Sequence, residues 1–249
     1  MEEQIIYGRN AVTEALRAGK AVDTVYLLRG ARLGGIAALA KESGAVVKDT
    51  GEEKLRTLTG TEKHGGVAAV LCAAEYAEPE ELFRIAEERG EPPFFIIADE
   101  IQDPHNLGAI LRTAEAAGAH GVIIPKRRSA GLTAAVFKTS AGAASWIKVA
   151  RVANLTDTIK MLKKRGVWVY GAEADGEPFY KAELNGPIAL VIGSEGNGLG
   201  RLVRESCDAI LSIDMYGRIN SLNASVSAGI LMYEIVRHRR KRQGFREAP

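Results

Sequence analysis

The chain has 249 residues, 46% of them hydrophobic and 26% charged, and 33 basic against 31 acidic side chains leave a formal charge of +2. At roughly 150 residues per domain there is room for one large domain or two small ones. These values exclude a disordered or collagen-like chain, and also a protein that binds nucleic acid through bulk positive charge.

In chain order, residues 1–75 alternate helix and strand. The sequence predicts a helix over 10–18, a strand at 24–28 (TVYLL) and a helix over 33–43 ended by Gly44. A short strand at 45–47, a helix at 52–58 and a strand at 67–72 (VAAVLC) follow, which together make a small α/β layer domain. The stretch 77–93, AEPEELFRIAEERGEPP, is acidic and edged by Pro79 and Pro92-Pro93. It reads as a linker holding a short helix, and divides the chain into residues 1–75, a linker 76–92 and a second domain 93–249.

In that second domain, strands are expected at 94–98, 121–124, 146–149, 167–172, 188–192 and 209–213. Helices are expected at 107–117, 134–144, 155–165, 199–206 and 224–240. Such alternation implies a parallel sheet covered on both faces. Charge is uneven: net 0 over 1–75, −4 over 76–91, +1 over 92–236 and +5 over the tail 237–249.

No run reaches the roughly 18 apolar residues of a membrane helix. The start, MEEQIIYGRN, lacks the basic region and apolar core of a signal peptide. Cys72 and Cys207 form neither a disulfide framework nor a CxxC pair, and four scattered histidines show no zinc spacing. A cytoplasmic protein with no membrane segment and no metal is expected.

Three polar clusters follow strands of the second domain, where open α/β sheets build sites. In DEIQDPHNLGAILRTAEAAG (99–118), Asn106 is placed to cap the helix. Arg112 lies among apolar neighbours and calls for a specific partner. In LVIGSEGNGLGRLV (190–203), four glycines between strand and helix let backbone approach a ligand, and Glu195 adds a carboxylate. The pattern is neither a P-loop nor GxGxxG. In IDMYGRINSLNASVSAG (213–229), Ser221 and Asn223 stand before a helix, either as caps or as neutral hydrogen-bonding groups. No Ser-His-Asp, Cys-His or paired-carboxylate arrangement is present. The inventory favours orientation and charge stabilisation in a reaction driven by an activated co-substrate.

The stretches NLGAILRTAEAAG, LVIGSEGNGLG and INSLNASVSAGILMYE resemble, in order and spacing, the three motifs of the SpoU branch of the SPOUT RNA methyltransferases. The first part, with IIYGRNAVTEAL and KHGGVAAV, resembles the ribosomal-protein-like RNA-binding module of many members, and the whole is most similar to the 23S ribosomal RNA guanosine-2′-O-methyltransferases. The resemblance implies S-adenosylmethionine as donor, a ribose 2′-hydroxyl of structured RNA as acceptor, a trefoil knot in the carboxyl-terminal segment, and a homodimer. It implies that Gly193, Gly198, Ile213, Met215 and Leu222 bind the donor. Asn106, Arg112, Glu195, Ser221 and Asn223 would form the catalytic set, and Arg9, Lys126, Arg127 and Arg128 are candidate phosphate contacts. Transfer RNA or an rRNA adenosine as substrate, and a non-catalytic ribosome-assembly factor, are the alternatives.

Overall fold

The structure is a computed structural model and describes residues 4–242; the distal part of the basic tail, 243–249, lies outside the described residues. The chain forms two compact units.

The first unit comprises residues up to Glu75 together with Gly131–Lys138. It contains β1 (Ile5–Tyr7), α1 (Arg9–Arg17), β2 (Val22–Leu28), α2 (Gly34–Glu42), β3 (Val46–Thr50), α3 (Glu52–Thr59) and β4 (Val67–Leu71). The sheet order is β1-β4-β2-β3. Only β2 and β3 run parallel; β4 is antiparallel to both of its neighbours. Val12 and Leu16, one helical turn apart on α1, meet Ile36 and Ala40 of α2 over Val25, Leu27, Val67 and Ala69 of the sheet. The strand β1 was not expected, because three residues are too short to show a period. The KHGG turn before β4 is built around buried His64, whose Nδ1 accepts the Gly66 N–H at 3.1 Å. Gly65 and Gly66 both have positive φ, which glycine adopts without steric penalty.

The remaining elements are α4 (Pro79–Glu88), β5 (Phe94–Ala98), α5 (Pro104–Ala116), β6 (Gly121–Pro125), α6 (Ala134–Thr139), β7 (Val149–Val152), α7 (Leu155–Lys164), β8 (Trp168–Pro178), β9 (Ile188–Ile192), α8 (Arg201–Ser206), β10 (Ala209–Ser212) and α9 (Ala224–Arg242). Residues of α6 through Lys138 group with the first unit; the rest form the second. Its sheet is entirely parallel, in the order β10-β8-β9-β5-β6-β7. The central strands FFIIA and IALVI are buried at every residue, as expected where both faces are covered. The chain runs β5, β6, β7 toward one edge, lays down β8 beyond β5, and then slots β9 between them. Strand order therefore reverses at β5, a topology in which ligand sites form at the carboxyl ends of the strands.

Three local expectations change. The acidic stretch packs as α4 on the second unit, with Leu82 and Phe83 in its core; a β-carbon on Gly121 would stand 2.4 Å from Leu82 Cδ2. The helix expected over 134–144 stops at Thr139, where Ala141 and Gly142 turn left-handed. The strand expected at 146–149 is Val149–Val152, since Trp146 follows a 3-10 turn (Ala143–Ser145) and is 81% exposed.

Arg239 fastens the far end of α9. Its Nη1 donates to Pro92 O (2.9 Å), its Nη2 to Pro93 O (2.7 Å) and Gly186 O (2.9 Å), and its guanidinium lies 4.9 Å from the Phe94 ring centroid. Burial pulls the guanidinium pKa down to about 10, with Glu91 acting in the opposite direction. Arg239→Ala strips three carbonyls of their donor and is expected to remove about 2–4 kcal/mol of stability. Faster amide exchange in the last turns of α9, with a lowered Tm, would show it. Arg239→Lys should restore only part, because an ammonium lacks the planar fork.

Candidate active site

The carboxyl ends of β8, β9 and β10 border a cleft of about 380 Å³. After β9 the chain makes a closed loop: Ser194 N–H donates to Gly198 O at 3.1 Å, and Gly198 N–H to Ser194 O at 2.9 Å. Glu195, Gly196 and Asn197 form its exposed tip. A β-carbon on Gly193 would stand 2.3 Å from the carbonyl carbon and oxygen of Gly198, so only glycine allows this backbone contact. Gly198 itself sits at φ +62°, in the left-handed region.

Two carboxylates hold the exit of the loop. Gly200 N–H donates to Asp99 Oδ2 at 2.7 Å, and Leu199 N–H to Glu173 Oε1 at 2.9 Å. Glu173 comes from an excursion of β8. Gly171 pairs with Ile210 and Glu177 with Leu211, so residues 172–176 leave the β8–β10 ladder. Within it, Arg204 Nε donates to Glu173, and Arg204 Nη2 to Asp175 at 2.8 and 2.9 Å. Gly176 closes the excursion, where a β-carbon would strike Ile210 O at 2.5 Å.

The structure brings most of the expected residues together. Gly193, Gly198, Ile213, Met215 and Leu222 all line the cleft, as do Glu195 and Ser221. Asn223 joins the three polar segments. Its Oδ1 accepts the backbone N–H groups of Ser225 (3.0 Å) and Val226 (3.3 Å), which settles which end of the amide is oxygen. Its Nδ2 therefore faces Asn106 Oδ1 at 2.8 Å and also donates to Glu195 Oε1.

Asn106 does not cap α5. Asp103 does, accepting the His105 N–H at 3.0 Å with Pro104 at the first helical position, a pairing that suits both residues. Asn106 is two residues further in, 8% exposed and turned toward Asn223. Because α5 is helical from Pro104, Arg112 is roughly 240° around the axis from Asn106. It is exposed and makes no hydrogen bond or ion pair with any described residue, so within one chain it stands apart from the rest of the set.

Of the candidate phosphate contacts, Arg9 is exposed and donates from Nε to Gly65 O at 3.1 Å. Lys126 is half-buried and Arg127 exposed. Arg128 is tied to Glu100 at 2.9 Å, and both residues have positive φ, near +56° and +55°. Asp99, Glu173, Asp175 and Arg204 were not singled out from the sequence. The signal for Glu173 and Asp175 was the polar run EADGE directly after a strand, the same signal that marked the other clusters.

Asp99 is 4% exposed, and burial raises its pKa against the lowering effect of the Gly200 N–H; Glu100 raises it further. A raised carboxyl pKa means that ionisation weakens the fold at pH above it, and that this loss is relieved as pH falls through it. Asp99→Asn keeps an acceptor for Gly200 without the charge. The expected result is a Tm above wild type at neutral pH and a gap that closes in acid, followed by thermal melts across the pH range.

Residues 93–233 match the SpoU rRNA Methylase family, and residues 5–77 match the RNA 2′-O ribose methyltransferase substrate binding family. The chain is 47% identical over 242 residues to the Bacillus subtilis protein YacO, assigned to the TrmH family of tRNA/rRNA methyltransferases; 96% of this chain and 97% of YacO are covered. A solved rRNA methyltransferase of Sinorhizobium meliloti with AdoMet bound is 26% identical with a TM-score of 0.60, covering 94% of this chain and 87% of that one. A TrmH-family structure from Porphyromonas gingivalis is 27% identical with a TM-score of 0.59, covering 95% and 89%. The chain belongs to the SpoU (TrmH-type) family of RNA methyltransferases, on the SPOUT α/β fold.

Proposed function

We propose that this protein is a cytoplasmic enzyme that transfers the methyl group of S-adenosylmethionine to a ribose 2′-hydroxyl in RNA, with a guanosine of 23S rRNA as acceptor. The carrying observation is the Asn106–Asn223–Glu195 hydrogen-bonded set at the edge of a glycine-walled cleft. Transfer RNA is the second reading, favoured by the description of YacO as a tRNA/rRNA methyltransferase. The cleft volume lies within the roughly 300–1,000 Å³ of small-molecule sites. The backbone contact at Gly193 and the mixed lining of Ile213, Met215, Leu222, Glu195 and Ser221 suit a ligand with apolar, hydroxyl and cationic parts.

When bound, S-adenosylmethionine supplies a methyl group activated by its sulfonium. The protein has then to align the acceptor and exclude water. Asn106 spends its Oδ1 on Asn223 and keeps its amide N–H groups for an acceptor, while Glu195 presents a carboxylate beside it; both orient the ribose. An arginine is a cation at ordinary pH. Arg112 accordingly stabilises the ribose oxygen as its proton leaves to water or phosphate. The first unit docks the RNA, in line with its match to the substrate-binding family. Insertion of β9 between two earlier strands supports the trefoil threading of the segment that follows.

A homodimer accounts for the isolation of Arg112. Helices α5 and α9 pack together, with Thr113 against Gly229, and α9 exposes Val226, Ile230 and Tyr233 at helical spacing. A dimer on this pair would offer Arg112 to the neighbouring copy's cleft.

Labelled donor with unmodified 23S rRNA and tRNA transcripts, and mapping of the methylated nucleotide, tests the substrate. Absence of label from both would overturn the reading. Arg112→Ala should lower the single-turnover rate by about 10²–10³-fold, with donor affinity by calorimetry retained, whereas Gly193→Ala should lose that affinity. Mixing inactive Arg112→Ala and Asn223→Ala chains should recover about a quarter of wild-type activity, as random pairing in a twofold dimer dictates. No recovery would place Arg112 in its own chain's site.

A further inference from the structure

Two tyrosines from separate segments converge at the cleft rim. Tyr180 lies in the 3-10 turn after β8 (Phe179–Lys181), and Tyr216 lies between β10 and α9. Both hydroxyls donate to the same oxygen, Oδ2 of Asp214, at 3.0 and 3.3 Å. The rings are left to solvent: Tyr216 is 94% exposed and Tyr180 52%, with Ile219 nearby in sequence at 72%. Phe179 backs Tyr180 edge-on at 5.6 Å. The hydroxyls raise the tyrosines' cohesion without covering their faces, so the rings are partly pre-set rather than free. None of these rings lines the cleft, but Met215, next to Tyr216, does.

We infer that Tyr216, anchored on Asp214 beside Tyr180, is a stacking face for a nucleobase of the RNA strand that carries the acceptor ribose. The inference rests on the proposed RNA substrate. To be methylated, a ribose must reach the cleft, and a base drawn from its stack loses contacts that an aromatic face replaces. The carboxylate at the hydroxyl ends of the rings disfavours a phosphate beside them, leaving the base as the fitting part of the strand. A second copy of the chain has a separate exposed apolar row on α9 in Val226, Ile230 and Tyr233.

The test is steady-state methylation of transcribed 23S rRNA, or of tRNA if that is the substrate, with donor affinity measured by calorimetry and mass by light scattering. Tyr216→Ala should raise the KM for RNA about tenfold, the scale of one base–aromatic stack, leaving kcat and donor affinity unchanged. Tyr216→Trp should restore the KM, which separates stacking from misfolding. A wild-type KM for Tyr216→Ala overturns the inference alone. So does a parallel fall in donor affinity, which would put the ring in the donor site, or a change in mass, which would make it a subunit contact. If wild-type protein labels neither RNA, the proposed function falls and this inference with it.

Discussion

A carboxamide has one accepting end and one donating end, and at Asn223 the start of a helix decides which is which. The first N–H groups of a helix have no partner within it. Here they take the Asn223 oxygen, and the amide nitrogen is left to face Asn106 and Glu195. Residues 117 and 28 positions away in sequence are thereby tied to the first turn of α9. Capping and site assembly are a single act: the end of the helix cannot fray without the polar set coming apart.

The second dependence is on close backbone approach. Gly193 and Gly198 touch main chain to main chain, and the loop between them is closed by a reciprocal pair of hydrogen bonds. Its exit is held by Asp99, directly after β5, and Glu173 of β8, so three neighbouring strands share in shaping one loop. A cleft built this way is held by the chain's own main-chain contacts and hydrogen bonds, which limits the ordering that binding of a ligand would cost.

Much of this was legible in the residues. Uninterrupted apolar runs such as FFIIA and IALVI can be buried on both faces only in a covered parallel sheet, and polar residues after such runs mark the site end of the sheet. The cleft-lining residues Gly193, Gly198, Ile213, Met215 and Leu222 came from likeness to a family, since a glycine run alone does not distinguish a turn from a ligand loop. What stayed hidden has physical causes. Asp103 followed by Pro104 caps α5 in place of Asn106, because an acidic cap before a proline at the first helical position suits both residues. The insertion of β9 is long-range, and no local period encodes it. The acidic composition of α4 masked a buried stripe of Leu82, Phe83 and Ala86 on its other face.

The excursion of β8 has a consequence for how such a cleft can vary. Residues 172–176 leave the ladder after Gly171 pairs with Ile210 and return to it where Glu177 pairs with Leu211, consecutive partners on β10. Length or composition between those two points can change without shifting the register of either strand. The wall that carries Glu173 and Asp175 is thus decoupled from the sheet beneath it. A descendant of this chain could reshape that side of the cleft by changes that spare Glu173 and Gly176, while β9, the glycine loop and the Asn223 junction stay as they are.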